Sequence, residues 1–269
     1  MIGAIIGDIV GSRFEYFGIK TKDFELFQRK NGFTDDSVLT LAIGKALLEC
    51  NGNYLDLEQK VITYLREFGK KYPFAGYGPS FEKWLYEESI GQYNSFGNGS
   101  AMRISAVPYF AKDLDELEWL VETVTKPTHN HPEGIKGAMA TATAIWLALN
   151  KKTKEEIKEY IEKFYYNLNF NYDELIEKYN FDMTCQGSVP QSIYAFLIST
   201  SYEDAIRTAI SMGGDTDTMG AITGAIAGAF YGVPDELKKQ AYKYLDGEQL
   251  KILMEFESYL NIKRNSNEI

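Results

Sequence analysis

Glycine recurs at every fourth position in two segments, Gly3, Gly7 and Gly11 near the start of the chain and Gly220, Gly224, Gly228 and Gly232 near its end. On a helix, residues four apart stack along one ridge. A ridge of glycines carries no side chains, so another backbone can approach it closely. Each interior glycine costs about 1 kcal/mol of helix propensity relative to alanine. Tight helix–helix packing is the compensation that would retain so many of them. The pattern predicts two helices at the centre of the protein, packed against each other.

Most of the remaining periodicity is helical as well. Asp56 to Lys71 puts Leu57, Val61, Tyr64, Leu65 and Phe68 on one stripe, and Asp113 to Thr125 does the same with Leu114, Leu117, Leu120, Val121 and Val124. Glu133 to Leu149 is rich in Ala and Thr and reads as a core helix. Thr153-Lys154-Glu155-Glu156 has the spacing of a capping box and opens another helix. Tyr202 to Met212, Pro234 to Leu245 and Glu248 to Ile262 complete the helical set. Neither a hairpin signal nor a βαβ rhythm appears. The expected fold is all-α, a compact orthogonal multi-helix bundle formed by one domain over residues 1–269. The polar stretch Asn167 to Tyr179 reads as a surface excursion, and the tail from Lys263 to Ile269 as frayed.

Charge narrows the class of partner. Twenty-eight Lys and Arg stand against thirty-eight Asp and Glu, a net charge of -10. That balance argues against a protein held to nucleic acid by phosphate neutralisation. It leaves room for an anionic ligand, because local donors can oppose the global field. Met219 to Pro234, the longest uncharged stretch in the C-terminal third, is glycine-rich and shorter than the ~20 residues of a membrane span, so no membrane is expected. Cys50 and Cys185 are too few for a disulfide scaffold, and the start of the chain lacks a basic leader, which points to the cytoplasm. Nothing in the sequence speaks to oligomeric state.

Three acidic constellations attach to this helical frame. Thr34-Asp35-Asp36-Ser37 precedes an apolar run, and Gly213-Gly214-Asp215-Thr216-Asp217-Thr218 opens the second glycine-ridged helix. Asp8 and Glu15, seven residues apart, are expected on one face of the first. One acidic helix cap is ordinary. Two sites, each with paired Asp and flanking Thr, exceed what capping needs. If they converge with Glu15, the crowded carboxylates would be pushed toward protonation unless cations neutralise them. Ligands that are all oxygen select hard ions such as Mg²⁺ or Mn²⁺. There is no CxxC, HExxH or EF-hand spacing, and His129 and His131 are the only histidines. The residues after Asp36 also lack the DDxxD spacing of prenyl-diphosphate synthases.

Further segments look like ligand loops. Asn94 to Arg103 is a polar, glycine-rich turn running into an apolar helix, suited either to an anion or to simple capping. Phe74 to Ser80 offers Phe74 and Tyr77 for stacking. In Thr128-His129-Asn130-His131-Pro132 a histidine serves as a helix cap or as a ligand contact.

Together these segments resemble the ADP-ribosylglycohydrolase family. The resemblance runs from Gly3 to about Val233 and rests on five motifs in order: Gly7 to Glu15, Thr34 to Ser37, Phe96 to Arg103, Thr128-His129, and Gly213 to Thr218. It implies the all-α fold of that family and two divalent cations, Mg²⁺ or Mn²⁺. By motif, the implied metal ligands are Thr34, Asp35, Asp36, Asp215, Asp217 and Thr218. Glu15 matches an acidic residue beside the metals and is the first candidate for the catalytic group, with Asp36 the second. Ser95, Phe96, Asn98 and Ser100 fall where the family holds the diphosphate and adenosine of ADP-ribose, with Phe96 a candidate for stacking. His129 matches a ligand-contacting histidine, and Gly78 stands in a loop on the acceptor side.

The resemblance implies hydrolysis of the bond between ribose C1″ and an acceptor, removing ADP-ribose from a modified protein, with arginine the first acceptor considered, or from a small ADP-ribosyl substrate. The alternatives are another N- or O-ribosyl bond, in O-acetyl-ADP-ribose, a small guanidine or a nucleoside, and a non-catalytic ADP-ribose-binding or structural relative.

Overall fold

The computed structural model describes residues 1–266, with side chains to residue 263. The chain is all-α. Helix α1 (Ile2–Gly11) is followed by α2 (Asp35–Cys50), α3 (Leu57–Lys71), α4 (Pro79–Tyr86) and α5 (Gly99–Met102). Then come α6 (Leu114–Thr125), α7 (Pro132–Leu149), α8 (Lys154–Phe164), α9 (Tyr172–Lys178) and α10 (Cys185–Ile198). The last four are α11 (Tyr202–Ser211), α12 (Thr216–Tyr231), α13 (Asp235–Ala241) and α14 (Gly247–Ser266). Among the described residues, β pairing is limited to an isolated bridge between Gly97 and Thr184. No described helix is long and apolar enough to cross a membrane.

The two glycine-ridged helices lie against each other at the centre. α1 is buried from Gly3 to Gly11, and α12 runs antiparallel to it. A Cβ on Gly3, Gly7 or Gly11 would overlap the backbone of Gly224, Gly220 or Thr216 respectively. Gly220 and Gly224 are equally closed by Gly7 and Gly3. Gly232 departs from the expected ridge. Its φ of +78° ends α12, and the space where its Cβ would stand is open. It is a terminator that favours glycine for its backbone. A hydrogen bond from Thr216 Oγ1 to the Gly11 carbonyl (2.9 Å) fastens the pair, and the Tyr202 hydroxyl ties α11 to the Gly3 carbonyl of α1 (2.8 Å).

Local signals explain most helix starts. Asp113 caps α6, and Thr153 with Glu156 forms the expected capping box of α8. Two helices escaped the periodicity reading. α10 carries Gly187 and Pro190 inside it, which obscure its pattern, yet Cys185, Val189, Ile193 and Phe196 are buried along it. α4 spans only eight residues, with Pro79 in its first turn. The stretch Asn167 to Tyr179 is also more than an excursion. It contains α9, and Tyr172, Leu175 and Tyr179 pack on Ala195, Ala209, Met212 and Met219. The expected frayed tail is helical through Ser266, and residues 267–269 lie outside the described ones.

Antiparallel packing sets up the functional end of the molecule. It brings the C-terminus of α1 beside the N-terminus of α12, and the N-terminus of α2 joins them through Asp8.

Candidate active site

Asp8 is wholly buried, on the last turn of α1. Its carboxylate accepts the backbone N–H of Thr34 (3.0 Å) and of Ser37 (3.0 Å). It also accepts the Thr34 hydroxyl (2.7 Å) and that of Ser37. Asp8 thus caps α2 from another helix and fixes where Asp35 and Asp36 stand. Thr34 is the local cap, and its hydroxyl also lies 3.2 Å from Asp36 Oδ2. The Thr218 hydroxyl approaches the same oxygen at 3.3 Å, which ties α2 to α12. The other oxygen of Asp36 is buried without a hydrogen-bond partner.

Oxygens of Asp8, Asp36 and Asp217 all lie within 4.8 Å of one another. Asp215 joins through Asn98, whose amide donates to Asp215 Oδ2 (2.8 Å) and to Ser188 Oγ (3.2 Å). Asp35 is held by its backbone N–H on the Ala75 carbonyl (2.8 Å), which ties the loop before α4 to the site. Glu15 reaches the cluster differently from expectation. α1 stops at Gly11, so Glu15 does not share a helix face with Asp8. A turn after the helix carries it to the same cavity.

Burial first, and then the neighbouring charge of Asp217, disfavour ionisation of this cluster. Asp8 is pushed up to about 7, against the pull of its Ser37 and Thr34 hydrogen bonds. Glu15 is raised to about 7 by burial, Asp217 and Asp8. Asp35, Asp36 and Asp215 stand well above the usual carboxylate range, each chiefly through burial. A cation would relieve all of these at once. The donors are oxygens, one is unpartnered, and three carboxylates are within reach of one ion. These residues fit a hard divalent metal. The N-termini of α2 and α12 contribute their positive dipole ends to the same place.

A cavity of about 250 Å³ opens over the cluster. Glu15, Thr34, Asp35, Asp36, Asp215, Asp217 and Thr218 form one wall, and Gly78, Ser95, Asn98 and His129 contribute elsewhere. Two expected ligand residues fall outside it. Ser100 donates its hydroxyl to the Gly134 carbonyl (2.7 Å) and fastens the loop to α7. Phe96 is 46% exposed and packs on His131 at 5.3 Å between ring centroids, away from the cavity wall. The two histidines divide the roles proposed for them, since His131 accepts from the Glu133 N–H to cap α7 while His129 lines the cavity.

Several wall residues were not singled out from sequence. Asp8, buried behind the wall, is acidic but absent from the expected ligands, although a carboxylate inside an apolar glycine-ridged helix is itself a signal. Arg103, Tyr93, Phe181 and Met183 also line the cavity. The last two arrive because Asn98 N–H bonds the Met183 carbonyl (2.8 Å) and Cys185 N–H bonds that of Phe96 (3.0 Å), a pairing that local periodicity cannot announce.

Comparison with known proteins identifies the family. The sequence matches the family described as ADP-ribosylglycohydrolase over residues 1–265. It is 25% identical over 323 residues to the human protein named ADP-ribosylhydrolase ARH3, covering 91% of this chain and 88% of that one. It is 25% identical over 275 residues to ADP-ribosylarginine hydrolase Tri1 of Pseudomonas putida (strain GB-1), covering 90% of this chain and 73% of the other. A solved structure titled ADP-ribosylglycohydrolase-related protein complex superposes with a TM-score of 0.62 at 21% identity, over 90% of this chain and 95% of that chain. At that identity the likeness concerns the fold.

Proposed function

The chain belongs to the ADP-ribosylglycohydrolase family, and on that premise we propose that it hydrolyses the bond between ribose C1″ and an acceptor side chain of a modified protein. The observation that carries this reading is the meeting of Asp8, Asp36 and Asp217 within 4.8 Å, the last two lining one cavity with Glu15. Arginine is the first acceptor to test, because the Pseudomonas relative is named an ADP-ribosylarginine hydrolase.

Thr34, Asp35, Asp36, Asp215, Asp217 and Thr218 would hold two divalent cations, Mg²⁺ or Mn²⁺, and Asp8 stands close enough to assist. Bound there, the ions would neutralise the carboxylates and hold ribose hydroxyls in a fixed orientation. Asp36 suits a ligand role, since it is buried and hydroxyls already contact one of its oxygens. That leaves Glu15 as the group that moves a proton. It is half-buried and lines the cavity beside the carboxylate cluster, in reach of a group whose proton must move. As a base it would take the proton from the water that attacks C1″ and return it to the acceptor atom as the C1″–acceptor bond breaks. Ser95, Asn98 and His129 would meet the diphosphate side of the substrate.

The test is release of free ADP-ribose from arginine-, serine- and acetyl-linked substrates, with Mg²⁺, with Mn²⁺ and with EDTA. Metal-dependent release from one of them names the acceptor. Binding of ADP-ribose without release from any would move the protein to a reader role.

A further inference from the structure

Arg103 is the one large cation in the cavity wall, and it is 1% exposed. No carboxylate of the described residues lies within ion-pair distance of it. Its Nη2 donates to Thr128 Oγ1 at 2.5 Å, and its Nη1 is buried with no partner. Thr128 is itself buried, and its hydroxyl oxygen lies 2.8 Å from His129 Nδ1. Arg103, Thr128 and His129 therefore form a chain of three polar groups whose first and last members line the cavity.

Hydrogen-bond inventory fixes the first link of this chain. A guanidinium can only donate, so Thr128 Oγ1 accepts from Arg103. That donation polarises the threonine hydroxyl and makes it a better donor. Either Thr128 Oγ1 or His129 Nδ1 can be the donor at 2.8 Å; a hydroxyl polarised in this way favours donating to the imidazole, with the Tyr93 phenol the other group beside it. Burial, and then the Arg103 charge, hold the imidazole well below its usual range, so the ring is neutral and carries one proton. With Nδ1 accepting, that proton is on Nε2. Nε2 lies against the glycine loop, 3.3 Å from where a Cβ on Gly99 would stand and 3.8 Å from that of Gly97.

We infer that Arg103 and Thr128 are positioning residues that fix His129 as an Nε2–H donor toward the diphosphate of the substrate, lodged against the Gly97–Gly99 loop. The inference rests on the ADP-ribose reading for the identity of the anion. It gives the cavity two poles. Carboxylates form one, and a donor wall backed by a buried cation forms the other. An unpaired buried cation is costly until an anion approaches it, and here the bound substrate supplies that anion.

The test uses Thr128→Val, which keeps the shape and removes the hydroxyl, and Thr128→Ser, which keeps it. With only two histidines in the chain, ¹⁵N ring signals are assigned by comparison with His131→Asn. The wild-type His129 should give the pattern of a neutral ring protonated on Nε2. Thr128→Val should turn it into a mixture of tautomers and weaken ADP-ribose binding about tenfold, the loss of one hydrogen bond to a charged group. Thr128→Ser should restore both. A wild-type ring protonated on Nδ1, or Thr128→Val with unchanged spectrum and affinity, overturns the inference. If the wild type shows the Nε2 form yet binds no ADP-ribose, the relay stands and the reading of the substrate fails. Circular dichroism melting checks that Thr128→Val is folded.

Discussion

Gly7 and Gly220 meet backbone to backbone: a Cβ built on either would overlap the carbonyl oxygen of the other. Neither helix can yield, because α1 is buried along its length and α12 is buried over most of its own. The contact fixes how far apart the carboxylate-bearing ends of the two helices lie. Close packing of this kind joins the fold to the site, since Asp8 follows Gly7 directly and Asp217 stands one helical turn before Gly220.

Gly7→Ala should therefore be severely destabilising. Overpacking costs roughly 1–3 kcal/mol where side chains can shift, and here the opposing atoms are backbone. A loss of at least about 3 kcal/mol is expected by urea denaturation. Gly247→Ala is the control. It lies in open space at the start of α14, and its stability should stay within about 1 kcal/mol of wild type. Equal effects at the two positions would contradict the packing account.

How much of this was legible in the sequence follows from the range of each interaction. Gly3, Gly7 and Gly11 advertise a close approach because the spacing of four is local to one helix. Thr34 to Asp36 and Asp215 to Thr218 stand out for the same reason, as acidic caps heavier than capping needs. Glu15 was placed on the wrong frame because nothing in its spacing from Asp8 reveals that α1 ends at Gly11. Ser100 reads like a ligand residue in its glycine-rich loop, but its hydroxyl is taken by the Gly134 carbonyl. The Arg103–Thr128 contact spans twenty-five positions and leaves no periodic trace.

Stability of the metal-free protein should fall as pH rises from about 4 to about 8. The sign follows from the direction of the shifts. Asp8 and Glu15 are raised to about 7 in the fold, from ordinary values of 3.8 and 4.5. Between those limits the folded state binds more protons than the unfolded one, so raising pH favours unfolding. The contribution is complete below about pH 4 and is lost as pH passes about 7. Melting temperatures in EDTA should decline across this window, by roughly 2–4 °C for each kcal/mol lost. Saturating Mn²⁺ should flatten the decline. A metal-free melting temperature that rises between pH 5 and 8 would show that other groups dominate.

Asp36→Asn should weaken metal binding strongly. The substitution keeps size and burial but removes a charge next to Asp8 and Asp217. Loss of a supporting partner costs about 10–100-fold in metal affinity, so loss of a direct ligand should cost at least about 100-fold. Titration calorimetry with Mn²⁺ reads this directly. Proton release, measured in buffers of different ionisation enthalpy, should accompany binding to the wild type near pH 6, because the raised carboxyls must ionise. Undiminished affinity in Asp36→Asn would place the ion elsewhere.

Glu15→Gln separates chemistry from binding. Glu15 lies at the edge of the cavity, on the turn after α1, and no described hydrogen bond holds its carboxylate in the fold. Its loss should therefore not lower stability, in contrast to Gly7→Ala. General acid–base groups contribute about 10²–10⁴-fold, so kcat for ADP-ribose release should fall by that factor. Dissociation constants for ADP-ribose should change by less than about threefold, because the expected diphosphate contacts at Ser95, Asn98 and His129 are untouched. The pH profile gives a second reading. If Glu15 is the base, the wild-type rate rises with pH as its carboxyl ionises, and the residual activity of Glu15→Gln should lack that limb. A variant that keeps wild-type turnover and the same limb would transfer the proton-moving role to another carboxylate, with Asp36 the first to examine.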